Sequence, residues 1–258
     1  MSSELACRGI RKSFGAVRAV HDLSFEVHRG EVFGIAGPNG AGKTTLFNVI
    51  SGHVVHDAGN ISLRDREIGR LAANERFRLG VARTFQIPQV FDTQSVFANV
   101  MVGAQFGGKT RRLSLKFTSE AIQRAYSALA LVDLNMPIDT KADALTAFDK
   151  KRLMIASAIA ANPVVLMLDE PFGGLNRSEM NVIDETVRTL NAQGTTIVLI
   201  EHVLSALFAL SHRVMVMHHG EKIFLGAPED VLKDERVVGS YLGDRLPEKK
   251  GAHQASLP

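Results

Sequence analysis

The stretch EVFGIAGPNGAGKTTLFNVISG, residues 31–52, changes hydrophobic period at its middle and restricts the fold more than any other segment. EVFGIAG is an apolar run rich in Val, Ile and Phe that stops at Gly37, the pattern of a buried strand. From Lys43 the period is helical, with Leu46, Phe47, Val49 and Ile50 on one apolar face and Gly52 as a stop. The octet between them, GPNGAGKT, fits G-x-x-x-x-G-K-[ST], a loop that works only between a strand and a helix. Glycines at 37, 40 and 42 let the backbone of Gly37, Pro38, Asn39, Gly40, Ala41 and Gly42 curl until its N–H groups cradle phosphates. The helix start adds its positive dipole end. Lys43 is expected to reach the β- and γ-phosphates, Thr44 to place its hydroxyl on Mg²⁺, and Thr45 to donate a further bond. A glycine-rich turn matching by chance would lack the flanking strand and helix.

The rest of the chain supports an α/β fold. Residues 5 to 36 read as short β-type segments separated by turns, and residues 87 to 161 as mostly helical, SEAIQRAYSALALVDL and KKRLMIASAIAA being the clearest pieces. From PVVLMLDE onward strand and helix patterns alternate, which argues for parallel strands joined by crossover helices. FGGKTRRLSLKF, 106 to 117, reads as an exposed connection, and LPEKKGAHQASLP, from 246, as a disordered tail.

Composition narrows the function classes. The longest apolar runs have strand length, far short of the ~20 residues that cross a bilayer, and MSSELACRGIRKSF lacks the pattern of a secretory signal. A cytoplasmic protein is expected. The one cysteine, Cys7, has no internal partner and is read as inert. A net charge of +3 is spread through RDREIGR, NERFR and KTRRLSLK, each read as solvated surface. With no Trp and two Tyr to interleave with those clusters, no nucleic-acid partner is expected. The histidines show no zinc-type spacing.

VVLMLDE delivers Asp169 and Glu170 to the carboxyl end of a buried strand, where ligands bind in open α/β sheets. Beside a phosphate loop, Asp169 suits an Mg²⁺ ligand through water and Glu170 the group that polarises an attacking water; alone, such a pair is more often a cap or turn. Three residues depend more on context. Gln86 in VARTFQ is otherwise a loop residue, His202 at the end of TTIVLIEH an exposed histidine, and Phe14 in KSFG a core phenylalanine.

Their order decides the matter. KSFG, GPNGAGKTT, RTFQ, VVLMLDEP, GGLN and LIEH follow one another as in ABC-type ATPase domains, which the chain resembles from about residue 5 to 243. VARTFQ, GGLN, RVVGSYLGD and the basic connection are similar to the larger ATP-binding subunit of branched-chain amino acid uptake systems. The resemblance implies a P-loop NTPase core (5–86 and 162–243), a parallel sheet with flanking helices. It adds an N-terminal antiparallel β subdomain, an inserted helical subdomain (87–161) and a flexible tail (244–258). It further implies Phe14 stacked on adenine, Gln86 contacting Mg²⁺ and His202 contacting the γ-phosphate. ATP and Mg²⁺ are the implied cofactors. The implied partners are a second ABC ATPase subunit, separate membrane permease subunits and, indirectly, an extracytoplasmic solute-binding protein, all at the cytoplasmic face of the membrane.

In the family, a signature of L-S-G-G-Q type reaches the nucleotide of the partner ATPase domain. Here Leu145, Thr146, Ala147, Phe148 and Asp149 fill its five places, and Phe148 replaces the second glycine. A side chain there is expected to hold phosphate away from the backbone, giving an asymmetric, mixed dimer with one weak site; a rotamer swung clear is the alternative. Thr146 with Asp149 also has the form of a helix cap. Rival readings are a dimerising nucleotide-dependent module with little hydrolysis and an ABC ATPase outside import; a P-loop GTPase would need an N-K-x-D segment, which is absent.

Overall fold

The computed structural model describes residues 2–107 and 117–243. Most of the connection at 106–117 and the whole tail at 244–258 lie outside the described residues.

The chain begins with β1 (Ser3–Phe14), β2 (Val17–His28) and β3 (Val32–Ala36), followed by α1 (Lys43–Ile50), β4 (Ala58–Leu63), β5 (Arg66–Glu67), α2 (Ala73–Arg78) and β6 (Val81–Arg83). Three helices come next, α3 (Val96–Phe106), α4 (Ser119–Leu131) and α5 (Ala147–Ala160). The chain then runs through β7 (Val165–Asp169), α6 (Arg177–Ala192), β8 (Thr196–Ile200), α7 (Leu204–Leu210), β9 (Arg213–His218), β10 (Glu221–Gly226) and α8 (Glu235–Gly243). The short β segments expected early in the chain are instead two strands of 12 residues each, β1 and β2, whose pairing tolerates register shifts that bend them.

Two sheets result, an antiparallel one in the order β2-β1-β4-β5 and a six-stranded one in the order β10-β9-β3-β8-β7-β6. In the second, β9, β3, β8, β7 and β6 are parallel and β10 runs against them. Parallel strands are covered on both faces, and here alternate residues divide between two cores. Phe33, Ile35, Val165, Met167, Val198, Ile200, Met215 and Met217 face α1, whose Leu46, Phe47, Val49 and Ile50 also meet Leu5, Ile10, Leu23 and Phe25 of the antiparallel sheet. Leu166, Leu168, Ile197, Leu199, Val214 and Val216 face the other way, towards α6, α7 and the three-helix cluster.

The helical cluster inserts between β6 and β7. Each of its helices opens on a hydroxyl cap: Ser95 accepts from the Ala98 N–H, Thr118 from Ala121 and Thr146 from Asp149, all at 3.1 Å. At Gly103 a Cβ would lie 1.8 Å from the Ser157 carbonyl oxygen, so glycine is what lets α3 and α5 touch.

One expectation is corrected and another holds. NERFR is not wholly solvated, because Arg76 is 1% exposed. Its guanidinium donates to the carbonyls of Val49 at 2.6 Å and Ile50 at 2.7 Å, capping the negative end of α1, and to those of Gly69 and Leu71. Cys7 is fully buried, and loss of water pushes its thiol to about 12, which fits the inert reading. Among the described residues no helix is long and apolar enough to cross a membrane.

Candidate active site

A cleft of about 490 Å³ opens where β3, β7 and β8 end. Residues 39–45, Gln86, Glu170 and His202 line one side; Val17, Arg18, Ala19 and His219 line the other. The loop from Gly37 to Gly42 is held against β2 tightly enough to demand glycine. Gly42 sits at φ +96°, and a Cβ there would lie 2.0 Å from the Ala19 carbonyl oxygen. Lys43 opens α1 with its side chain folded over the loop, Nζ donating to Gly37 O at 2.7 Å and Pro38 O at 2.9 Å. Burial lowers its pKa, and the carboxylates of Glu170 and Asp169 work against that.

Asp169 closes β7 and is buried against Arg83, whose Nη2 donates to its Oδ2 at 2.8 Å. Arg83 also donates to Asn48 Oδ1 at 2.6 Å and Ser51 Oγ at 3.1 Å, with its guanidinium 5.4 Å from the Phe47 ring centroid and 4.9 Å from that of Phe85. Burial raises the Asp169 carboxyl above its usual range, although the Arg83 hydrogen bond and charge oppose it. Nothing in VARTFQ by itself assigns Arg83 this place. Its only signal is a charge at the end of a short apolar segment.

Glu170 follows with φ +48°, a left-handed backbone unusual for a side-chain-bearing residue. Gln86 Nε2 donates to its Oε2 at 2.6 Å, and His202 Nε2 lies 2.8 Å from its Oε1. Three residues separated by 84 and 32 positions thus meet on one carboxylate facing the phosphate loop.

The ABC transporter family model matches residues 20–173. The chain belongs to the ABC transporter family. This ABC ATPase is 36% identical over 249 residues to the high-affinity branched-chain amino acid transport ATP-binding protein LivG of Salmonella typhimurium, covering 93% of the chain and 98% of the relative. It is also 34% identical over 246 residues to the lipopolysaccharide export system ATP-binding protein LptB of Acidithiobacillus ferridurans, covering 95% and 99%. Among solved structures, the ADP conformation of an ATP-binding cassette of an ABC transporter superposes with a TM-score of 0.84 at 30% identity, covering 94% of this chain and all of that one. The ABC ATPase fold and an ATPase activity coupled to transport follow.

Not every expected residue of this ABC ATPase lies in the cleft. Phe14 is 51% exposed at the end of β1, with Lys12 Nζ 5.3 Å from its ring centroid. It is absent from the cleft lining, but its register partner Val17 belongs to it. Val17, Arg18, Ala19 and His219 carry no motif, because β2 and the β9–β10 turn are brought to the loop only by the fold. Asn176 proves to be the cap of α6, accepting from the Glu179 N–H at 3.1 Å, and Phe172 is buried in the core.

The signature segment begins α5, away from the cleft. Thr146 and Ala147 are exposed, and Arg152 Nη2 donates to Asp149 Oδ1 at 2.5 Å. Phe148 does not project into the position expected of it. Its ring is half-buried against the helical core, with the Arg152 guanidinium 4.7 Å from its centroid. That packing favours the alternative of a rotamer swung clear of the start of α5.

Proposed function

We propose that this ABC ATPase hydrolyses ATP in the cleft around Lys43 and Glu170 and drives an importer for branched-chain amino acids or related small solutes. The observation that carries the catalytic part is the meeting of Gln86 and His202 on Glu170 beside the phosphate loop. The phosphates of ATP lie on the N–H groups of residues 39–45, with the α1 dipole and the Lys43 ammonium facing their charge. Phe14 stacks on the adenine from the rim. Glu170 accepts a proton from a water as its oxygen attacks the γ-phosphorus and ADP leaves; His202 and Gln86 keep the two carboxylate oxygens in place.

The donor set fits Mg²⁺. Thr44, Asp169 and the Gln86 carbonyl would supply hard oxygens, the ligand type Mg²⁺ takes beside phosphate and water. When bound, Mg²⁺ neutralises phosphate charge. Asp169 keeps Oδ1 for it while Arg83 holds Oδ2.

The solute class rests on the likeness to LivG along almost the whole chain. The partners of this reading are a second ATPase subunit meeting the start of α5, membrane permease subunits and an external binding protein. Export is the second reading, favoured by the likeness to LptB. Lys43→Ala should weaken ATP binding at least about tenfold, since a charge-assisted contact is lost. Glu170→Gln should bind ATP normally and turn over about 10²–10⁴ times more slowly. Uptake of labelled leucine by cells deleted for the chain should return with wild type and not with Glu170→Gln; uptake unaffected by the deletion would remove the import reading.

A further inference from the structure

Two buried ionisable side chains play no part in this mechanism. Lys151, in the second turn of α5, is 6% exposed, and Glu201, just past β8, is 1% exposed. They form no direct ion pair. Both grip the turn that follows Asp169. Lys151 Nζ donates to Gly173 O at 2.8 Å and reaches Glu170 O at 3.5 Å. Glu201 Oε1 accepts from the Phe172 N–H at 2.7 Å, and its Oε2 accepts from the His202 and Val203 N–H groups at 3.0 and 3.2 Å.

A left-handed backbone at a residue such as Glu170 persists only where its surroundings over-determine it. Lys151 fixes the carbonyl side of the turn and Glu201 the N–H side. The same carboxylate fixes the backbone of His202, whose ring meets Glu170. The Glu201 carboxylate offsets the burial of Lys151 across the turn, while the Phe172, Val203 and His202 N–H groups offset the burial of Glu201 itself. Burial raises the Glu201 carboxyl and lowers the Lys151 ammonium, with Glu201 the first charge opposing the latter.

We propose that Lys151 and Glu201 are positioning residues forming one buried brace, which holds Glu170 and His202 together and ties them to the start of α5. Because Thr146, the cap of α5, belongs to the segment expected to meet a partner's nucleotide, a shift of that helix end is passed through Lys151 to the backbone of Glu170. The inference rests on the catalytic reading of Glu170.

Amide hydrogen exchange of the full-length chain without nucleotide tests the brace apart from catalysis. Glu201→Gln turns an amide NH₂ against an N–H donor, and Lys151→Met removes the opposite charge. Each should speed exchange at Phe172 and His202 at least about tenfold, although Lys151 touches neither amide. Unchanged exchange in Lys151→Met would overturn the coupling, and unchanged exchange in Glu201→Gln would overturn the brace. In the assembled complex, each variant should lower kcat about tenfold or more with the ATP Kd within about threefold of wild type, and Lys151→Arg should restore much of the rate. If kcat and ATP affinity fall together and Lys151→Arg restores neither, the residues only support the fold and the positioning role is wrong. A wild-type complex without hydrolysis would strike the proposed function instead, leaving the exchange result to decide the brace.

Discussion

At residue 148 the sequence and the tertiary structure argue in opposite directions. A phenylalanine in place of a signature glycine suggests an obstruction, yet the ring is turned into the helical core beneath Arg152. Phe148→Gly should therefore lower stability by roughly 2 kcal/mol, part of the cost of emptying a half-buried aromatic site. It should also leave the ATPase rate of the assembled complex unraised. Denaturant titration and steady-state hydrolysis check the two halves; a severalfold faster variant would restore the steric reading. Arg83 teaches a related lesson. A charged residue after a short apolar segment invites a surface assignment, whereas here it is buried beside two aromatic rings while Asp169, Asn48 and Ser51 take up its two terminal nitrogens.

At the level of elements, α5 carries two duties. Its first turn is a cap, Thr146 accepting from the Asp149 N–H, and its second turn holds the Glu170 loop through Lys151. Thr146→Ala should cost about 1 kcal/mol of stability. Asp149 adds a pH dependence. Burial would raise its carboxyl, but hydrogen bonds from Arg152 and Thr146 prevail and hold it below its ordinary value of 3.8. A depressed folded pKa means that its contribution is complete above 3.8 and is lost as pH falls below it towards the folded value. Acid titration of stability should show that loss in wild type and a weaker one in Asp149→Asn. The strand and helix patterns of β3, α1, β7 and β8 were legible because strict periodicity and a shared motif fixed them. The length of β1 and β2 was not, since their bulged pairing is settled by the partner strand.

For the whole molecule, the cleft joins the two cores. Its loop sits on the α1 side, while Glu170 follows a strand whose other face meets the helical cluster. ATP should then stabilise the fold as a unit, by about 2.7 kcal/mol at a hundredfold excess over Kd. That corresponds to a rise in Tm of roughly 5–10 °C for a chain of this size. Lys43→Ala should remove about half or more of the rise in a thermal melt with ATP and Mg²⁺, and a rise equal to wild type would separate Lys43 from nucleotide binding.

Local features were legible along the chain: the loop between β3 and α1, the acidic end of β7, and the order of motifs that places the chain among the ABC ATPases. Each depends on residues adjacent in the chain, where backbone freedom, hydrophobic period and charge act directly. The tertiary structure alone decided which way Phe148 turns, why Gly42 must yield to Ala19, that Arg76 caps α1, and that Lys151 and Glu201 grip one turn from opposite sides. Those outcomes turn on burial and on partners tens of residues away, and a buried charge reveals its purpose only once the groups that satisfy it are in place.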